Sequence, residues 1–156
     1  MFGWLKSLFS VPQPAGPSQI LRSFPPSDRI ISTDSITIEG DAWCVTGSDE
    51  GRTFHLFEVQ DLGVEQCQLT YRAQLKTKDL ERKAYLEMWC RLPGRGEFFS
   101  KGFHNAVRGT NNWASYEIPF YLKQGQKPDL VKLDLTLEGA GTLWIREVQL
   151  LQTPLK

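Results

Sequence analysis

The sequence predicts an all-β protein built as an antiparallel β-sandwich, and three observations carry that prediction. From about Asp28 onward apolar residues recur with a period of two, the mark of half-buried strands. Turn residues separate the alternating stretches, and no helical pattern intervenes, which favours antiparallel pairing over βαβ units. The chain has 156 residues, enough for one domain with a substantial core and short for two.

The elements follow in order. Residues 1–10, MFGWLKSLFS, sort cleanly on a helical wheel, with Phe2, Trp4, Leu5, Leu8 and Phe9 in one arc and Gly3, Lys6, Ser7 and Ser10 in the other. This predicts a short amphipathic helix suited to a membrane surface or a partner's groove. It is too short to span a bilayer and lacks the h-region and cleavage site of a secretory signal. A helix of this length is marginal alone, so an end that packs on its own domain is the competing reading. Residues 11–27 hold five of the nine prolines, a spacing that favours extended, semi-rigid chain. They read as a proline-rich linker, laid on the domain through Ile20, Leu21 and Phe24. The sandwich domain is expected over residues 28–156.

Within it, SITIEG, AWCVTG and TFHLFEV supply short strands. In CQLTYRAQL, Cys67, Leu69, Tyr71, Ala73 and Leu75 share one face, and in AYLEMWCRL the inward set is Ala84, Leu86, Met88, Cys90 and Leu92. LPGRGE, residues 92–97, reads as a hairpin turn. SYEIPFYL groups Tyr116, Ile118, Phe120 and Leu122, and VKLDLTLEG sets Val131, Leu133, Leu135 and Leu137 against Lys132, Asp134, Thr136 and Glu138. In the last strand the parity breaks. Leu143 and Ile145 share a face, whereas Val148 and Leu150 fall on the other, and one extra residue at Arg146–Glu147 restores the register as a β-bulge on a sheet edge.

The totals exclude several classes of function. Eighteen basic and 18 acidic residues give a formal net charge of zero, so nothing argues for nucleic acid as a partner. Cys44, Cys67 and Cys90 are neither a disulfide framework nor a zinc pattern, and free buried thiols with no secretory signal point to the cytoplasm, with peripheral membrane association through residues 1–10. There is no H-E-x-x-H, no G-x-S-x-G and no phosphate loop. A Cys44–His55 nucleophile would place a thiolate in an apolar strand. A Glu87–Glu117 carboxylate pair has no separation that sequence can supply. The chain reads as a non-enzyme.

The segments GFHNAVRGTNNWASYEIPFYL and PDLVKLDLTLEGAGTLWIREVQLL resemble the C-terminal half of galactose-binding-like jelly-roll domains of the carbohydrate-binding-module type. Gly109, Thr110 and Trp113 match one motif element, and Gly139, Gly141, Thr142, Trp144 and Val148 match the other. The resemblance covers roughly residues 35–151. It implies a jelly-roll fold and a sugar-binding role. It also implies that the long loop 96–113 buries its aromatics, with Phe103 and Trp113 as core plugs and His104 as a hydrogen-bonded loop residue. Metal-bearing members carry a calcium-binding Asp where this chain has Arg146. A guanidinium cannot ligate a cation, so the sequence argues against structural calcium, and no other cofactor is implied.

Strand parity nominates a binding surface. Tyr85, Glu87, Trp89 and Arg91 are expected outward from one strand, and Glu117 and Tyr121 outward from another. Flat rings among hydrogen-bonding charges suit the apolar faces and hydroxyls of sugars. Exposed aromatics are equally favoured by cross-strand packing or a protein contact. The leading expectation is carbohydrate binding through this face. The alternative is a membrane-tethered interaction or structural adaptor domain.

Overall fold

The structure, a computed structural model, describes residues 12–156. The helix expected over residues 1–10 lies outside the described residues. Nine strands account for the fold: β1 Gln19–Phe24, β2 Ile36–Glu39, β3 Ala42–Gly47, β4 Arg52–Gln60, β5 Cys67–Leu92, β6 Gly96–Lys101, β7 Val107–Leu122, β8 Leu130–Leu137 and β9 Gly141–Pro154. All strand pairs are antiparallel.

The two expected strands CQLTYRAQL and AYLEMWCRL are one strand, β5, 26 residues long. Its first half lies between β9 and β7, and its second half between β8 and β6. One layer therefore runs β2-β3-β9-β5-β7, and the other β4-β8-β5-β6, with β5 passing from one to the other. The apolar alternation of both halves of β5 faces a single core, which it shares with Phe54, Leu133, Leu135, Ile145 and Val148. This is a β-sandwich closed around one hydrophobic interior.

The crossing of β5 between layers is a bend over residues 76–83, where the register against β7 shifts repeatedly and Asp79 takes φ +54°. Both elements of the sequence motif converge there. Thr110 Oγ1 accepts the Asp79 amide at 3.0 Å. Gly141, at φ +133°, lies so close that a Cβ would meet Asp79 O at 2.6 Å and Leu80 Cα at 2.7 Å. The glycine is required by backbone contact as well as by its dihedral angle.

Three expectations are corrected. Residues 19–24 of the proline-rich linker form β1, paired along β9 from Gln152 to Val148, with Phe24 buried against Phe57. The apolar residues at 20, 21 and 24 and the open side of β9 explain this, and the sandwich begins before residue 28. The bulge at Arg146–Glu147 is present, with Glu147 at φ +52° and Arg72↔Gln149 followed by Gln74↔Arg146. It does not sit on an edge, because β9 is flanked by β5 on one side and by β3 and β1 on the other. Much of the long loop 96–113 is strand, with β6 and the start of β7 joined by a 3₁₀ turn at Phe103–Asn105.

Candidate functional site

The outer face of the β4-β8-β5-β6 layer carries a groove of about 320 Å³ lined by Thr53, His55, Glu87, Trp89, Glu97, Lys132 and Asp134. Cross-strand register builds it. His55 of β4 and Glu87 of β5 both stand opposite Asp134 of β8, and Trp89 stands opposite Lys132 on one side and Phe99 of β6 on the other. Side chains at directly opposed positions on one face lie close enough to interact, so the polar residues of four strands meet here.

The floor consists of two buried carboxylates. Glu87 is 5% exposed and Asp134 2%. Glu87 accepts a hydrogen bond from Trp89 Nε1 at 2.6 Å and from Thr136 Oγ1 at 3.1 Å, with Lys101 Nζ at 3.8 Å. Asp134 Oδ1 lies 3.2 Å from His55 Nδ1, whose ring is more than half exposed. Burial holds the Asp134 carboxyl up at about 6; His55 and Lys132 pull it down and Glu87 pushes it further up. Thr53 and Thr136 hydroxyls bond one another at 2.8 Å. Trp89 packs on Phe99 at 5.1 Å between ring centroids, and Phe99 is 54% exposed, so an aromatic wall rises beside the polar floor. At the rim, Lys132 pairs with Glu97 at 2.8 Å and Arg91 with Asp129 at 2.9 Å.

Of the residues nominated from sequence, Glu87 and Trp89 lie in this groove and Arg91 at its margin. Tyr85 shares their face but is buried, because Phe103 folds over it at 4.9 Å. The order expected for that pair is reversed: Phe103 is the outer ring, 49% exposed, and Tyr85 the covered one. Trp113 is no core plug either; it stacks under the Arg146 guanidinium at 3.9 Å. Glu117 and Tyr121 do not join the groove. They stand opposite Arg72 and Gln68, on the half of β5 that belongs to the other layer. His55, Asp134 and Lys132 were missed as site residues although the outward parity of 132, 134 and 136 was legible. What sequence lacked was the pairing of β8 with both β4 and β5.

Arg146 occupies the calcium-like position with contacts of its own. Its Nε donates to Gln74 Oε1 at 2.8 Å, and Nη1 lies 3.5 Å from Asp41 Oδ2. Among the described residues Arg146 makes no ion pair with Glu147, its neighbour in the bulge, which is exposed. Cys44 and His55 lie in different layers, and burial raises the Cys44 thiol. A larger cleft, about 410 Å³, lies between the loop 26–33 and β2. Among the described residues its one aromatic, Trp43, is 2% exposed, so it offers no ring face, and the groove over β4-β8-β5-β6 is the better candidate.

Solved structures place the architecture. A CBM4 module superposes with a TM-score of 0.53 at 14% identity, covering 83% of this chain and 77% of its own. The CBM22-1 xylan-binding domain of Xyn10C from Paenibacillus barcinonensis gives 0.53 at 12% identity, covering 91% and 99%. The family 29 module CBM29_1 from Piromyces equi gives 0.51 at 10% identity, covering 86% and 89%. The fold is that of a carbohydrate-binding-module β-sandwich. No family model matches the sequence, and no curated protein matches it.

Proposed function

We propose that the chain is a non-catalytic carbohydrate-binding module and that its glycan lies in the groove over β4-β8-β5-β6. One observation carries this reading: an aromatic wall, half-buried Trp89 with exposed Phe99, stands directly beside a floor of hydrogen-bonding groups on a sandwich of this fold. A pyranose has an apolar C–H face for the ring and hydroxyls for the floor, and each carboxylate, imidazole and threonine hydroxyl there is a defined acceptor or donor. The xylan-binding domain among the structural neighbours supports the same class of ligand.

The test is binding of the full chain to a broad glycan array, with Trp89→Phe and Phe99→Ala alongside. Phe99 is exposed, so its truncation leaves the core untouched. The expected result is binding to at least one glycan, weakened about tenfold or more by Phe99→Ala, the loss of a stacking partner at a contact. A folded wild-type chain that binds no glycan would overturn the reading.

A further inference from the structure

We infer that the sugar held in this groove carries an ammonium group, an amino sugar rather than a neutral or acidic one, and that Asp134 is the residue that selects it. This rests on the carbohydrate reading above. The groove lining has three carboxylates, Glu87, Glu97 and Asp134, against one lysine, Lys132. The nearby cations are already engaged. Lys132 is held by Glu97 at 2.8 Å, Arg91 by Asp129 at 2.9 Å, and Lys101 stands 3.8 Å from Glu87. Among the described residues Asp134 has no lysine or arginine partner; its contact is with His55.

Its carboxylate is almost wholly buried, yet among the described residues its one side-chain partner is His55, through Oδ1. Among the described residues no donor bonds Oδ2, and Asp134 lines the groove. His55 reaches Oδ1 alone, and its ring is more than half exposed, so solvent screens that contact. A carboxylate in the groove floor with one oxygen not engaged by the described residues is an acceptor open to a ligand's donor. A neutral hydroxyl would supply a hydrogen bond without a charge. An ammonium supplies both, and the adjoining Trp89 ring is of the kind that favours a cation near its face. A uronic or sulfated sugar would meet Glu87, Glu97 and Asp134, and the cations lining or bordering the groove among the described residues are already paired with carboxylates.

The experiment measures binding of the full chain to matched oligomers of glucosamine, N-acetylglucosamine and glucose at pH 7. The glucosamine oligomer is expected to bind about tenfold or more tighter than the other two, with the difference shrinking as salt is raised. In the isosteric Asp134→Asn chain the ratio should fall to about one. Glu97→Gln, at the half-exposed rim, frees Lys132 and should reduce the ratio by about threefold without touching the buried floor. Equal or tighter binding of the glucose or N-acetylated oligomer, or a ratio unchanged in Asp134→Asn, would overturn the assignment of Asp134 and leave the carbohydrate reading standing. Absence of binding to all three and to the wider array, by a folded chain, would overturn both.

Discussion

Trp89 donates its indole N–H to Glu87 across 2.6 Å, two residues apart on the same face of β5. The bond fixes the plane of the ring that walls the groove and answers one oxygen of a carboxylate that is 5% exposed. Glu87→Gln keeps an acceptor for the indole and should leave the near-ultraviolet circular dichroism of the tryptophans essentially unchanged. Glu87→Ala leaves the indole unanswered and also removes the acceptor of Thr136. It should cost about 1–3 kcal/mol in chemical denaturation. Equal stability of the two variants would contradict the role given to this bond.

Arg146 ties two strands and a ring together from the bulge of β9. It bonds Gln74 of β5, reaches Asp41 in the turn before β3, and covers Trp113 of β7. Arg146→Ala should destabilise the sandwich by about 1–2 kcal/mol, and Arg146→Lys by less, since an ammonium keeps the charge but loses the planar stack. Urea midpoints of the three chains decide it. A midpoint for Arg146→Ala equal to wild type would show that the contacts are incidental.

The Tyr71 hydroxyl is buried with no hydrogen-bond partner among the described residues, and burial holds its pKa well above the ordinary tyrosine value. A polar group desolvated without a partner destabilises the fold. Tyr71→Phe removes the oxygen and keeps the ring, so it should raise stability by about 1 kcal/mol. A lower melting temperature would mean that the hydroxyl has a partner in solution.

Asp134 makes stability depend on pH in a defined direction. Its folded pKa, about 6, is above its ordinary value of 3.8. Between those values the native state holds the proton more firmly than the unfolded chain, so this group's contribution falls as pH rises from about 4 to about 6 and is level outside that window. His55 on β4, Glu87 on β5 and Lys132 on β8 face the carboxyl and set the coupling. The loss is on the order of 3 kcal/mol. It should be absent from Asp134→Asn, so the difference between the two stability-against-pH curves isolates it. A flat difference curve would sink the prediction.

Period-two alternation was enough to assign the inward faces of β5, β8 and β9, because each strand is wetted or buried on a fixed side. The bulge was legible for the same reason: Ile145 and Val148 can both be buried only if one residue is added between them. β1 was not legible. Its short apolar set sits among prolines, and its pairing depends on an open flank of β9 that no local pattern announces. The continuity of β5 was equally hidden, since residues 77–83, where it bends between layers, are polar except for Leu80 and break the period of two.

The candidate site divides along the same line. Sequence by itself determined that Glu87 and Trp89 share a face and that Lys132, Asp134 and Thr136 share another. Only the tertiary structure decided that these two faces are one face. Cross-strand pairing puts Asp134 between His55 and Glu87, lays Phe103 over Tyr85, and carries Glu117 and Tyr121 to the other layer. The physical reason is that side-chain parity is a property of one strand, written in its own residues. Which strands lie side by side is set by how the whole chain closes its core.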